Sequence, residues 1–411
     1  MKKSKKKLII FLFILVIILV GFFFLVRHFY YELVDHFNPP TTVITLDEVL
    51  EYEYKDEKYM LDTISIVDGE IVTKNYELDT SSLGNHKIEI NYKNSNGRPL
   101  KYEYSYNVVD TTLPYLSVNN NLYVTTGSSI ETVLRKTVCG DNYDREVDLT
   151  IEGDYDLDTV GNYNVTFVAK DDSDNTTTKN VVLHVYEKVD YGNNQNTSTN
   201  NIKGDDINFI IKNYKTDSNS IGIDLSEYNT VDDFNKVKEA GIDFVILRLG
   251  WGPNEDMSMN ADKKFEDFYK RAKEAGLKVG VYVFSYSTNN NEVDVLVNYV
   301  KDVLKDKEID LYVAFDWESF NLFRESHMNF YDLNDMAKYF MDKIREAGYK
   351  PMNYGSLNDL KNFWRLDDYD TWVAQYFTEL AYTRPFKIWQ ITDAGEVDGI
   401  NGLVDVDIMY D

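Results

Sequence analysis

The sequence predicts a multidomain chain: an N-terminal transmembrane helix, two β-sandwich domains in tandem, and a C-terminal α/β barrel of the TIM type. Three observations carry this. An uncharged run, Leu8 to Val26, approaches the ~20 residues that a bilayer-crossing helix needs. A strand-rich pattern then occurs twice, and beyond it apolar strand-like runs alternate with amphipathic helices.

The membrane helix is expected within residues 1–30. Lys2, Lys3, Lys5, Lys6 and Lys7 precede it, which by the positive-inside rule puts the short N-terminus in the cytoplasm and the rest of the chain outside the cell membrane. A cleaved signal peptide is the alternative, but the following RHFYYELVDHF has no small-x-small cleavage pattern. Composition narrows the partners further. A net charge of −26 with no basic stripe argues against nucleic acid. The single cysteine, Cys139, excludes an intrachain disulfide and a thiolate metal centre, and His28, His36, His86, His184 and His327 lack ligand spacing. No metal and no cofactor are expected.

Past Pro39 and Pro40 the chain is rich in Val, Ile, Tyr and Thr without helical periodicity. ELDTSSLGNHKIEINY from Glu77 and DLDTVGNYNVTFVA from Asp156 share a Leu-Asp-Thr, a Gly-Asn turn, and then alternation, Ile88, Ile90, Tyr92 and Val165, Phe167, Ala169. Each copy closes on a further strand, YEYSYNVV or NVVLHVY. Two β-sandwich domains are expected, over residues 41–110 and 111–188; they resemble the immunoglobulin-like modules of bacterial surface proteins, and their polar faces suit a spacer. Residues 189–206 are almost wholly polar and Asn-rich, as a linker is.

The barrel is expected over 207–411. KEAGIDFVILR, KEAGLKVGVYVF and REAGYKPMNYG each place a glycine, Gly241, Gly276 or Gly348, after a helical stretch and just before a strand. The strands are IGIDLS, DFVILRLG, KVGVYVFSY, LYVAFDWE, KPMNYG, TWVAQYF, KIWQIT and VDVDIMY. Long helices fall only between the first five, near 231–240, 261–275, 291–305 and 332–347, so the second half of a closed parallel barrel is stripped of helices.

Catalytic groups of such barrels sit where strands end. Those ends carry Asp224, Arg248, Tyr282 with Tyr286, Asp316 with Glu318, Tyr354, Tyr376, Trp389 with Gln390, and Asp405 with Asp407. No serine or cysteine there has a histidine to activate it, and no glycine-rich phosphate loop follows the first strand. Several carboxylates among flat rings are what glycoside hydrolysis requires. In FDWE, Asp316 and Glu318 share one strand face, about 6–7 Å apart at Cα, and Trp317 takes the other. Like charges that close raise one pKa, so Glu318, nearer the loop, is expected to hold the proton while Asp316 stays ionised. Arg248 is expected to neutralise this acidic floor.

From Ile221 to Tyr410 the chain resembles glycoside hydrolase family 25, the lysozymes (N-acetylmuramidases). The resemblance rests on GIDLSEYN, FVILRLGWG, AGLKVGVYVFSYS, FDWE, GYKPMNYG, WVAQY and WQITDAGEVDGINGLVDVD, in this order. It implies a barrel of five β/α units with three further strands, and cleavage of the β-1,4 bond between N-acetylmuramic acid and N-acetylglucosamine in peptidoglycan. It also implies Glu318 as general acid, with Asp316, Asp224 and Asp405 as flanking carboxylates; Tyr282, Tyr286, Tyr354, Tyr376, Trp389 and Gln390, read from the strand ends, are expected to bind substrate. Val283 stands where the family often has a histidine. The Asp-x-Glu spacing also resembles that of chitinases, implying a retaining reaction assisted by the substrate's acetamido group; inversion, with Asp224 or Asp405 activating water, is the alternative. Other readings are a non-catalytic peptidoglycan-binding or wall-assembly factor on the same barrel, serving cell-envelope machinery, and a chitinase-like hydrolase of another N-acetylated polymer.

Overall fold

The computed structural model describes residues 2–187, 205–376 and 379–411, and divides into two compact units, 1–112 and 113–411. The linker expected over 189–206 therefore lies outside the described residues except for Asp205–Asp206, which pair in parallel with Gly395–Glu396.

The first unit begins with one helix, Lys2–Phe37, longer than the sequence suggested; Pro39 and Pro40 follow its end. Its stretch Phe13–Phe37 is long and apolar enough to cross a membrane, and none of it is buried within the protein. The first β segment that follows has a four-stranded sheet, Glu51–Glu53, Pro99–Val109, Gly84–Lys93 and Glu70–Ile71 in spatial order, and the pair Val43–Leu46 with Ile64–Val67. The second β segment, at the start of the second unit, repeats this plan. Its sheet runs Asp148–Glu152, Gly161–Lys170, Thr176–Tyr186, Asn121–Thr125, and Tyr115–Ser117 pairs with Val138–Gly140. In both, a long antiparallel hairpin takes a parallel edge strand against its second arm. Of the alternating positions read from sequence, Ile88, Ile90, Val165, Phe167 and Ala169 are buried and Tyr92 is half-buried.

The barrel has eight strands: β1 (Asn219–Leu225), β2 (Phe244–Gly252), β3 (Lys278–Ser285), β4 (Tyr312–Asp316), β5 (Lys350–Ser356), β6 (Asp370–Ala374), β7 (Ile388–Glu396) and β8 (Val404–Tyr410). Neighbours from β1 to β7 pair in parallel, and β8 closes the ring against β1 and β7. The closing strand is antiparallel to both, which corrects the all-parallel expectation. Only residues 397–403 join β7 to β8, too few for the crossover that a parallel return needs.

Helices α1 (Phe234–Glu239), α2 (Phe265–Glu274), α3 (Asn290–Leu304) and α5 (Phe330–Glu346) occupy the four predicted places. Gly241, Gly276 and Gly348, with φ of 98°, 73° and 91°, make the left-handed turns that end α1, α2 and α5. Two short helices, α4 (Phe320–Glu325) and α6 (Leu357–Asn362), were not legible as periodic segments. Another, Ile207–Tyr214, buries Ile207 and Ile210 and sets Tyr214 edge-on against Trp389 of β7. It covers part of the outer barrel wall where no β/α helix falls.

The second β segment packs on the barrel. Gly140 meets the rings of Phe323 and Phe330 so closely that an added Cβ would lie 2.6 Å from Phe323. Phe330 stacks on Phe363 at 4.9 Å, with Tyr115 edge-on to both. Arg145 pairs with Asp332 at 2.9 Å and Arg135 with Glu325 at 3.1 Å.

Candidate active site

Period-two alternation sorts the barrel interior into layers. The floor is apolar, from Phe244, Ile246, Ala314, Met352, Trp372 and Ile388. One step toward the C-terminal ends of the parallel strands, the same faces turn polar. Ile246 gives way to Arg248 on β2, Ala314 to Asp316 on β4, Met352 to Tyr354 on β5 and Ile388 to Gln390 on β7. β8, running the other way, contributes Asp407 and then Asp405, and β1 contributes Asp224, directly opposite Asp405 in the ladder. The register pairs Gln390 with Asp407 as well.

Gln390 organises this layer. Its Nε2 donates to Asp224 Oδ2 at 2.8 Å, and its Oε1 accepts from the hydroxyls of Tyr354, at 3.1 Å, and Tyr376, at 3.0 Å. Trp372 Nε1 donates to Asp407 Oδ1 at 2.8 Å. Asp316 Oδ1 and Asp407 Oδ2 have no hydrogen-bond partner. Glu318 lies past the end of β4, exposed at the mouth, while Asp316 is buried below it. Trp317, between them, turns outward into the core and donates from Nε1 to the Ser287 carbonyl at 2.8 Å.

Crowding carboxyls into a partly dry layer pushes their pKa values up together. Burial is the largest cause for Asp224, held well above the usual range, followed by Asp405 and Asp407; the Gln390 bond opposes it. Asp407 is likewise held well up by burial and then by Asp405. Asp405, half-buried, is raised to about 6 by burial and then by Asp393. Asp316 is held well above the normal range by burial, then by Glu318, with Arg248 opposing. Glu318 is raised by the protein crowding its carboxyl and then by Asp359. Asp316, whose Oδ1 has no hydrogen-bond partner, thus resists ionisation along with Glu318, so depth acts on this pair as well as the repulsion read from the sequence.

Residues 223–400 match the model of glycosyl hydrolases family 25. The match runs through the barrel from β1 to the link before β8. An "Autolytic lysozyme" of Clostridium acetobutylicum is 26% identical over 190 residues, covering 45% of this chain. The chain spans 54% of that protein's length. Among solved structures, the modular autolysin LytC of Streptococcus pneumoniae is similar at 21% identity and TM-score 0.42, over 60% of this chain and 56% of that one. A family 25 glycosyl hydrolase from Bacillus anthracis is similar at 18% identity and TM-score 0.41, over 48% of this chain and 92% of that one.

Within the barrel, the fold brings together Asp224, Asp316, Glu318, Asp405, Tyr282, Tyr354, Tyr376 and Gln390. It does not bring in Trp389. That ring faces the opposite way from Gln390, is buried in the outer core, and donates to the Gln375 carbonyl at 2.8 Å. Tyr286 lines the wall of an open 730 Å³ groove with the 253–258 loop and Leu322, a groove whose lining includes none of Asp224, Asp316, Glu318 and Asp405. Val283 is buried in the outer core, away from the mouth. Arg248 is not bound to the acidic floor: its Nε donates to Asp262 at 2.9 Å, and its guanidinium lies between the rings of Tyr228 and Trp251. Three contributors went unread in the sequence, Trp372, Asp262 and Asp359; for Trp372 the strand parity of TWVAQYF was the available signal.

Proposed function

We propose that this chain is a membrane-anchored peptidoglycan hydrolase that cleaves the β-1,4 bond between N-acetylmuramic acid and N-acetylglucosamine. The supporting observation is the stacking of solvent-facing Glu318 above buried Asp316, beside the Asp224–Asp405 pair, inside a barrel that matches the family 25 model over residues 223–400. The Lys2–Phe37 helix serves as the anchor, with the N-terminus cytoplasmic and the barrel outside, and the first β segment (41–110) acts as a spacer toward the wall. The second segment (111–188), a separate domain by sequence, works as part of the barrel's support.

Two neighbouring carboxyls that both resist ionisation retain a proton between them near neutral pH. Glu318 is the member that reaches the mouth, so it delivers the proton to the glycosidic oxygen as the bond to the anomeric carbon breaks. Asp316, left as the carboxylate, accepts a hydrogen bond from the N–H of the muramic acetamido group and turns its oxygen onto the anomeric carbon. Glu318 then takes a proton from the water that opens the resulting ring, and configuration is retained. Tyr282, Tyr354 and Tyr376 supply faces and hydroxyls for the sugars. A second reading is favoured by one feature, the Asp405 carboxyl raised to about 6, which suits a base that activates water for direct inversion.

The test is reducing-end release from purified peptidoglycan by the full chain in detergent, with mass spectrometry of the products, for the native protein and Glu318→Gln. Fragments ending in reducing N-acetylmuramic acid, lost in the variant, are expected. Binding without new ends would make the barrel a wall-binding module, and an α-anomer as first product would replace retention with inversion.

A further inference from the structure

Outside the barrel mouth, another group of buried carboxylates has no role in the reaction above. In the second β segment, Asp141, Asp144 and Asp171 are all buried, with exposures of 1%, 7% and 4%. Each offers an oxygen, and these oxygens lie within 4.8 Å of one another. Among the described residues no lysine, arginine or histidine forms an ion pair with any of the three; the nearby basic groups are engaged elsewhere, Arg145 with Asp332 and Lys170 with Asp174. Three acids held this close and out of water repel one another unless a cation joins them.

The backbone orients them without using up their oxygens. Asp141 Oδ1 accepts from the amides of Tyr143 and Asp144 at 2.8 and 3.0 Å, while its Oδ2, buried beside the other two carboxylates, has no hydrogen-bond partner. Asp144 Oδ2 accepts from the Asp172 amide at 3.1 Å, and Asp171 is fixed by the amide and side chain of Asn175, both at 2.8 Å. A preoriented set of hard oxygens at a loop junction is the donor chemistry of Ca²⁺, which takes irregular shells of six to eight oxygens; Mg²⁺ demands stricter octahedral geometry and retains its waters. The cysteine and histidine spacing that argues against a metal in the sequence is silent on an all-oxygen site.

We propose that Asp141, Asp144 and Asp171 form a Ca²⁺ site that locks the 140–146 loop against the barrel. The loop that would hold the ion is the one that docks. The Asp141 carbonyl accepts from the Phe330 amide at 2.8 Å, the Tyr143 carbonyl accepts from Asn329 Nδ2 at 2.9 Å, and Arg145 reaches Asp332. These partners are the N-cap and first turn of α5, and α4, between them and Glu318, packs on Gly140 through Phe323. The ion thereby fixes the back of the segment that follows Glu318, independently of what the barrel hydrolyses.

The experiment is calorimetric titration of CaCl₂ into the chelator-treated full chain in detergent, with thermal unfolding in CaCl₂ and in MgCl₂, for the native protein, Asp141→Asn and Asp171→Asn. One Ca²⁺ per chain is expected, with a dissociation constant of about 10⁻⁴–10⁻³ M, the range of extracellular calcium modules, weakened at least about tenfold in either variant. Ca²⁺ should raise the unfolding temperature of the native protein more than Mg²⁺ does. Asparagine keeps an oxygen for the Tyr143 and Asp144 amides, so circular dichroism should show both variants folded; should one fail, the other and the native comparison of the two ions still decide. Absence of binding at millimolar Ca²⁺, equal stabilisation by Mg²⁺, or undiminished binding in both variants would overturn the proposal.

Discussion

Replacing Asp405 by asparagine removes one charge from the crowded layer while preserving shape, and its effect on stability has a sign that depends on pH. The folded protein raises this carboxyl from 3.8 to about 6. Between those values the folded state still holds a proton that the unfolded chain has released, so native stability falls as pH rises through this window, and the loss is complete above it. A shift of this size corresponds to at most about 3 kcal/mol; partial solvation and sharing of the charge among neighbouring carboxyls bring a realistic figure to about 1.5–3 kcal/mol. Asp405→Asn should therefore unfold about 3–6 °C above the native protein at pH 7.5, converging with it near pH 4. The assay is thermal unfolding of the full chain in detergent from pH 4 to 7.5, with reducing-end release measured alongside. A carboxylate kept for chemistry against its electrostatic cost should leave the variant more stable and less active. If the variant is less stable at pH 7.5, or its advantage is equally large at pH 4, the burial and repulsion assigned to Asp405 are wrong.

Glu318→Gln should lower the hydrolysis rate by about 10²–10⁴-fold without lowering the unfolding temperature, since the side chain is exposed, its carboxyl is one the fold keeps from ionising, and an amide cannot deliver the proton; residual activity near native would remove Glu318 as the acid. Trp389→Phe should cost about 1–2 kcal/mol in denaturant unfolding, from the lost bond to the Gln375 carbonyl, with KM unchanged. A KM rise of tenfold or more would instead put that ring against substrate. Gly222→Ala should destabilise by about 1–3 kcal/mol or more in denaturant unfolding, because its Cβ would lie 2.2 Å from the Phe244 ring in the barrel floor.

Much of the barrel was legible because period-two strands write their inward face into the sequence. Asp316 and Glu318, Asp405 and Asp407, Tyr354 and Met352 each sit two apart, and each pair shares a face. The same rule, applied to the WQ step of β7, separates Trp389 from Gln390: proximity to the strand end does not put adjacent residues on one face. The direction of β8 was also available, since 397–403 is too short a link for a parallel return. Other features were not available. The partners that hold Arg248 are scattered, Tyr228 after β1, Trp251 within β2 and Asp262 before α2, and α4 is too short for helical periodicity. The upward pKa shift of Asp316 depends on depth and on which donors reach it, neither of which a spacing encodes. The contacts of the second β segment with the barrel join residues nearly two hundred positions apart, such as Arg145 and Asp332.

Those contacts alter what the second β segment is for. A spacer needs only to be long and soluble, and its faces toward the next domain can stay polar. Here the facing surface is aromatic: Tyr115 against Phe330 and Phe363, and Gly140 kept without a side chain so that Phe323 and Phe330 can approach. Without residues 113–187, Phe323, Phe330 and Phe363 would lose that cover, leaving a contiguous apolar patch of the kind that folded surfaces avoid. The same rings continue through Phe320 to Trp317, the residue between Asp316 and Glu318. Precision at the proposed general acid requires that the backbone carrying it be packed on its far side. On this argument the smallest faithful catalytic fragment begins near residue 113, and a barrel cut at 207 retains its carboxylates while losing part of what positions Glu318.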